Sequence, residues 1–198
     1  MKYTRTVAPT TTPLLLADAR DWLAMETGIT ADDDVITELL DEVTAYVEQR
    51  WNGRKLISQT WTITLDEEEV DDVIPIRLLP LQSVSSIKTY DDAGDPTTVN
   101  ATNYFVDTGN IPRVILTSSG SYPSDMRWYS GMVITCVVGY GDASTDMPDD
   151  IAMLMKGLTL HQYLAKGRGV AQTVSGQLIS IPNIYENQIK NLRIDPWR

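Results

Sequence analysis

The hydrophobic period of this chain changes twice, and this change limits its fold more than any other feature. Between residues 33 and 51 apolar side chains recur at spacings of three and four, which predicts an amphipathic helix. From residue 55 the period becomes two, as in a half-buried strand, and after Pro148 the helical period returns. This order predicts an α+β protein: a small bundle of three main helices with an inserted antiparallel β module and an extended C-terminal tail.

Capping residues place the ends of the three predicted helices. The first covers residues 14–26, with Thr12 as its N-terminal cap. The second begins at the three aspartates of residues 32–34, because carboxylates are favourable at the positive end of a helix dipole, and it ends near Trp51. The third begins at Pro148, since proline suits the first turn of a helix.

Short strand-forming runs fill the middle of the chain, and turn-forming residues separate them. The predicted strands are residues 57–65, 73–79, 84–90, 97–99, 104–106, 114–117 and 132–138. The Asp- and Gly-rich sequence from Asp91 to Pro96 is typical of a hairpin loop. Short strands at close spacing predict a small antiparallel sandwich or barrel.

These elements divide the chain into four parts. Residues 1–54 form an N-terminal tail and the first two helices, and residues 55–146 form the inserted β module. Residues 147–167 form the third helix, and residues 168–198 form a loop and the C-terminal tail. The simplest packing of these parts brings the three helices together.

Charge and cysteine content restrict the partners and the compartment of the protein. The formal net charge is −11, and a surface that binds nucleic acid through its phosphates needs clustered lysine and arginine instead. When residues 1–54, 55–148 and 149–198 are compared, basic side chains outnumber acidic ones only in the last of these three parts. The single cysteine, Cys136, lies in an apolar strand and is predicted to be a buried thiol. The sequence shows no signal peptide or membrane span, so we expect a soluble protein made in a cytoplasm.

The sequence does not predict a catalytic, metal-binding or cofactor-binding site. Its single histidine, His161, lies in the third predicted helix, and one histidine with one cysteine cannot form a His- or Cys-rich metal site. The Gly-x-Gly sequences at residues 139–141 and 167–169 lack the third glycine of a dinucleotide fingerprint and the lysine of a phosphate-binding loop. We therefore predict that the protein is not an enzyme. An enzyme that uses only carboxylates, such as a glycosidase, remains an alternative.

A dense acidic sequence follows the first predicted strand. Its carboxylates belong to Asp66, Glu67, Glu68, Glu69, Asp71 and Asp72. One interpretation is a solvated loop between two strands. The other is the wall of a DNA conduit, because like charge repels the phosphates and lets the strand slide.

Several stretches, taken in order, resemble the head–tail connector (adaptor) proteins of long-tailed bacteriophages. The resemblance covers roughly residues 14–165 and is carried by residues 16–23, 34–40, 45–48, 53–61, 79–87, 138–141 and 147–148. It implies a homo-dodecameric ring beneath the portal vertex, in which the helices build the ring and the β module projects towards the tail. The ring would extend the DNA channel, bind the portal protein and offer a docking surface to a tail-side stopper or terminator protein.

The same resemblance implies where the protein acts. It would be a structural part of the virion at the head–tail junction, assembled in the host cytoplasm, with no cofactor and no membrane. Viral DNA would pass through the channel without sequence-specific binding. A non-catalytic carbohydrate- or protein-binding β module on a helical scaffold is the alternative.

The C-terminal tail carries spaced apolar anchors that favour contact with a partner. They are Tyr185, Ile189, Leu192 and Trp197. Segments with such anchors can fold on a binding partner, and the family resemblance identifies this partner as the portal. The alternative is that the tail packs on its own subunit.

Overall fold

The computed structural model describes residues 1–26, 28–51, 53–166 and 182–192. The chain divides into two compact units. Residues 1–10 and 53–142 form a β unit, and the described residues between 11 and 51 and between 143 and 192 form a helical unit. The fold class is α+β, as the sequence predicts. The division differs from the predicted one in that the first ten residues join the β unit.

The described part of the helical unit contains four α-helices around an apolar core. They are α1 (Leu16–Trp22), α2 (Asp33–Arg50), α3 (Asp149–Ala165) and α4 (Asn183–Leu192). The apolar face predicted for residues 33–51 is buried in α2, where five side chains lie in the interior: Ile36, Leu39, Leu40, Val43 and Val47. Leu39 and Leu40 pack with residues of α1 and with Tyr163 of α3 in one cluster.

Helix α1 is shorter than the predicted range of residues 14–26. Thr12 does not cap it, because its hydroxyl donates to the Leu14 carbonyl at 2.8 Å instead of accepting a helical N–H. At the other end Ala24 has a left-handed backbone with φ of 53°. The N–H groups of Ala24 and Met25 then bond back to the last turn, which is the C-terminal motif that ends many helices.

The predicted start of α2 is correct, but its first aspartate has a different partner. Asp32 is the N-terminal cap residue, yet it makes no side-chain bond to the helix. Its carboxylate accepts the phenol of Tyr163 from α3 at 2.7 Å. At the next residue of α2, Asp33, the carboxylate accepts a hydrogen bond from Arg20 of α1 at 2.5 Å. Polar contacts therefore fix the start of α2 against α1 and α3.

The described part of the β unit contains two antiparallel sheets. The strands are β1 (Lys2–Val7), β2 (Gln59–Leu65), β3 (Val73–Pro75), β4 (Leu81–Tyr90), β5 (Pro96–Thr98), β6 (Tyr104–Asp107), β7 (Arg113–Leu116) and β8 (Met132–Val138). The larger sheet has the order β1-β2-β8-β4-β5, and the smaller has the order β3-β7-β6. Side chains of both sheets share one buried cluster, so the predicted sandwich is present. Cys136 is buried in it, as predicted.

Strand β1 falls in the segment that the sequence analysis assigned to a polar tail. It pairs with β2 in antiparallel register, and Tyr3 lies opposite Ile63. Tyr3 is the one residue of the strand that packs against the core, and the other five are exposed. A strand at a sheet edge is specified by its backbone hydrogen bonds, so alternation of apolar side chains does not reveal it.

Gly139 ends strand β8 in a conformation that suits glycine alone. Its φ is +127°, and a Cβ placed there would lie 2.5 Å from the Ile57 carbonyl. The neighbouring backbone pairs across this close approach, since Ser58 N–H donates to Gly141 at 2.9 Å. Residues 139–141 are thus the place where the chain leaves β8 and bonds to the segment before β2.

Candidate assembly surfaces

In the described ranges no group of three or more His, Cys, Asp or Glu side chains is placed to hold a metal ion. Within the same ranges, no helix combines the length and the apolar character that crossing a membrane requires. His161 lies on α3, where its ring centroid is 6.3 Å from that of Tyr185.

In the acidic turn, residues 66–72, two of the six carboxylates bind groups outside the turn. Asp66 accepts the backbone N–H of Ser130 at 2.6 Å. Glu69 accepts the backbone N–H of Asp66 at 3.1 Å and forms an ion pair with the ammonium group of Met1. The hydrogen bond from this ammonium group, followed by that from Asp66, lowers the pKa of Glu69 below its ordinary value. These two carboxylates hold the turn in place.

The other four carboxylates of the acidic turn face solvent: Glu67, Glu68, Asp71 and Asp72. Tyr122 lies close enough to be influenced by two of them. Burial, with a smaller contribution from Asp72 and Asp71, raises the pKa of Tyr122 to about 12. The turn thus presents a short row of exposed negative charges, and within it Asp71 also accepts the backbone N–H of Asp72 at 2.7 Å.

Two adjacent aromatic side chains protrude next to the acidic turn and form what we name the aromatic tip. Trp128 is 71% exposed and Tyr129 is 72% exposed. The backbone carbonyl of Trp128 accepts the N–H of Glu67 at 2.9 Å, so the tip and the turn are joined. Side chains of this size are usually at least half covered, and an exposed pair marks a contact surface.

The loop that carries the aromatic tip is held by several polar contacts. Arg127 donates twice to the Ser130 carbonyl, at 3.2 and 3.0 Å, and its guanidinium lies 5.2 Å from the ring centroid of Tyr90. Ser130 has φ of 51°, and its N–H donates to the carboxylate of Asp66 at 2.6 Å. The aromatic tip is therefore exposed but not loosely attached.

The aromatic tip was not predicted from the sequence. Trp128 and Tyr129 lie between predicted strands and fit neither the period of two nor the period of 3.6. A pair of aromatics outside any periodic segment, ending two residues before Gly131, is a signal that could have marked it.

Three of the four tail anchors lie on helix α4, and Trp197 lies outside the described residues. Ile189 is 5% exposed, and its carbonyl accepts the indole N–H of Trp51 at 2.8 Å. The ring of Tyr185 fills the space that Gly157 leaves on α3, where a Cβ would lie 2.6 Å from it. Leu192 is half-buried. Residues 183–192 thus pack on their own subunit, which was the open alternative.

A groove lies on the helical unit between α2 and α4. It is a depression of about 120 Å³ lined by Tyr46, Arg50, Glu186, Ile189 and Lys190. The guanidinium of Arg50 lies 5.1 Å from the ring centroid of Tyr46. Tyr46 also lines an adjoining depression with Val43 and Leu158, which are buried. The groove therefore has an apolar floor and exposed cations at its rim.

Comparison with known proteins gives structural but not sequence relatives. No protein-family model matches the chain, and no curated protein matches it significantly. A chain from the neck of an empty gene transfer agent (GTA) particle, computed with C6 symmetry, matches with a TM-score of 0.77 at 24% identity. A chain from the virion of a native GTA particle matches with a TM-score of 0.76 at 23% identity.

A third solved structure agrees with these two. A chain from the neck of a native GTA particle, computed with C12 symmetry, matches with a TM-score of 0.74 at 22% identity. In all three cases the match covers 98% of this chain and 96% of the other. The chain therefore shares the fold of these proteins over nearly its whole length.

Proposed function

We propose that this chain is a structural subunit of the neck of a phage-like particle. The observation that carries the proposal is the shared fold over 98% of the chain with chains solved in GTA necks. A fold alone does not determine function, but two surfaces of this chain also suit an assembly role. They are the exposed, firmly held aromatic tip and the groove with cations at its rim.

In this proposal identical copies form a ring between the portal protein and a tail-side protein. Two of the similar necks were computed with sixfold and twelvefold symmetry, which supports a cyclic arrangement. The ring extends the DNA channel and offers the tail a docking surface. The ring catalyses no reaction. It is assembled in the host cytoplasm and becomes part of the virion.

The C-terminal segment is the proposed contact with the portal protein. Tyr185 and Leu192 are half-buried on α4, so part of each side chain is available to a partner. Ile189 is buried and would act by holding α4 in place. Changing Tyr185 and Trp197 to alanine is expected to weaken binding to the portal, and unchanged binding would contradict this assignment.

Within the acidic turn, Asp71 and Asp72 are the proposed channel-facing carboxylates. Asp71 and Asp72 are exposed, and like charge keeps DNA phosphates from adhering to a wall. We expect an Asp71→Lys, Asp72→Lys variant to assemble normally but to retain DNA more strongly in a salt-dependent manner. Equal release of DNA from wild-type and variant particles at low salt would contradict the placement.

The direct test of the proposed function is the mass of the purified protein, alone and mixed with the portal protein encoded near it. Ring-sized particles, or a complex that forms only with the portal protein, would support a neck subunit. A monomer that ignores the portal at all concentrations would contradict it. Sedimentation velocity and negative-stain imaging measure both quantities.

A further inference from the structure

The aromatic tip has the physical character of a binding anchor. Trp128 and Tyr129 are both more than 70% exposed, whereas Trp51 of the same chain is 2% exposed. The contacts of Arg127 and Asp66 with Ser130 fix the loop, so little conformational entropy is lost when the tip is buried. Rigid aromatic anchors of this kind supply much of the binding energy of protein interfaces.

The charges beside the aromatic tip define the surface that can receive it. Glu67 and Glu68 are exposed, and Glu67 is joined to Trp128 by the backbone hydrogen bond of 2.9 Å. When the tip is buried these carboxylates come close to the partner. A complementary partner therefore has an apolar depression with cations at its border.

The helical unit of this chain has a surface of that kind. The groove is built on Tyr46 and the buried Ile189, and Arg50 and Lys190 are exposed at its rim. Glu186 is the one carboxylate that lines it, so cations outnumber anions there. The groove is open and the tip is exposed in the single chain, so each is available to another molecule.

We propose that the aromatic tip of one copy docks into the groove of the next copy. Tip and groove are different surfaces, so the contact is heterologous, and repetition with a closing rotation produces a ring. The inference rests on the proposed neck function and adds the residues that join the copies. Trp128 and Tyr129 fill the groove, and Glu67 and Glu68 lie against Arg50 and Lys190.

Charge reversal with exchange tests this contact. The tip variant is Glu67→Lys, Glu68→Lys, and the groove variant is Arg50→Glu, Lys190→Glu. Each variant alone brings like charges together, so self-association should be lost. A mixture of the two variants should regain it. In a ring where the two variants alternate, the unchanged tip of the groove variant meets the unchanged groove of the tip variant. At the other junctions the lysines of the tip variant meet the glutamates of the groove variant.

Two further variants separate the contact from general effects. Asp71→Lys, Asp72→Lys changes net charge as much as the tip variant but leaves Glu67 and Glu68 unchanged, and it should associate like the wild type. Trp128→Ala is expected to weaken association by about 30-fold or more, since it removes an anchor. Circular dichroism should show all variants folded, because every side chain changed is exposed.

The outcomes are distinguishable by sedimentation velocity at a series of concentrations, with and without portal protein. Loss in each charge variant and recovery in the mixture would support the contact. Rings of wild-type stability from the tip variant, or a mixture that stays dissociated, would overturn it and leave the neck function standing. A wild-type protein that stays monomeric even with portal protein would overturn both.

Discussion

Replacing Trp51 with phenylalanine should release helix α4 from the helical unit. The indole N–H of Trp51 donates to the Ile189 carbonyl at 2.8 Å in a buried setting. Ile189 lies in the last described turn of α4. Phenylalanine keeps the aromatic ring but removes the donor, so a buried carbonyl loses this partner.

The expected cost follows from that loss. Leaving a buried acceptor unsatisfied costs about 1–3 kcal/mol. Because the bond joins α4 to the end of α2, the cost applies to the docked state of α4 and not to the β unit. A change of 1.4 kcal/mol is tenfold in an equilibrium constant, so the opening equilibrium of α4 should rise roughly 5- to 150-fold.

Native-state hydrogen exchange measures this opening by region. In the Trp51→Phe protein, amides of α4 should exchange faster by that factor, while the buried strands β2 and β8 keep their protection. Trp61→Phe is the matched control, since its indole donates to Gln59 within the β unit at 3.1 Å. It should leave α4 unchanged. If α4 exchanges at the wild-type rate in the Trp51→Phe protein, the indole bond does not hold the helix.

Three shorter predictions concern the β unit. Gly139→Ala should destabilise it by about 3 kcal/mol or more, because the residue has φ of +127° and a Cβ would meet the Ile57 carbonyl. The control is Gly94→Ala, where no atom lies within 4 Å and the expected cost is only about 1–2 kcal/mol. Thermal unfolding measures both variants. Burial raises the pKa of the Cys136 thiol to about 12, so Ellman's reagent should label it at pH 8 only after unfolding, and rapid labelling of the folded protein would contradict the burial. The pKa of Glu69 in the folded protein is lowered from 4.5. The contribution of the Glu69 carboxylate to stability is therefore complete above pH 4.5 and is lost as the pH falls through the pKa of the folded state. Glu69→Gln should show a smaller loss of melting temperature on acidification than the wild type.

The fold class followed from periodicity, and the errors lie where the apolar period carries no signal. Strand β8 was predicted to the residue, Met132–Val138, because its inner face is apolar and its ends are turns. Strand β1 was missed because only Tyr3 contacts the core. The end of α1 was placed too late because its stop signal is an alanine in a left-handed conformation, which no sequence rule assigns to alanine.

Surface function was harder to predict than the fold. The sequence identified the acidic turn by composition, but it could not show that Asp66 and Glu69 are bound internally while Glu67 and Glu68 are free. It listed the spacing of the tail anchors without showing that Ile189 is buried. These distinctions depend on contacts between residues far apart in sequence, which periodicity does not encode.

Residues 53–142 of the β unit lie between α2 and α3, and this has a consequence for synthesis on the ribosome. Helix α2 ends at Arg50, and α3 begins at Asp149, so about 100 residues separate two helices that share a core. At ~5–20 residues per second this separation amounts to roughly 5–20 s of translation. The β sandwich can close within that time, since β8 ends at Val138. The faces of α1 and α2 that pack on α3 stay uncovered until α3 emerges, so the nascent chain is most exposed to chaperones just before that point.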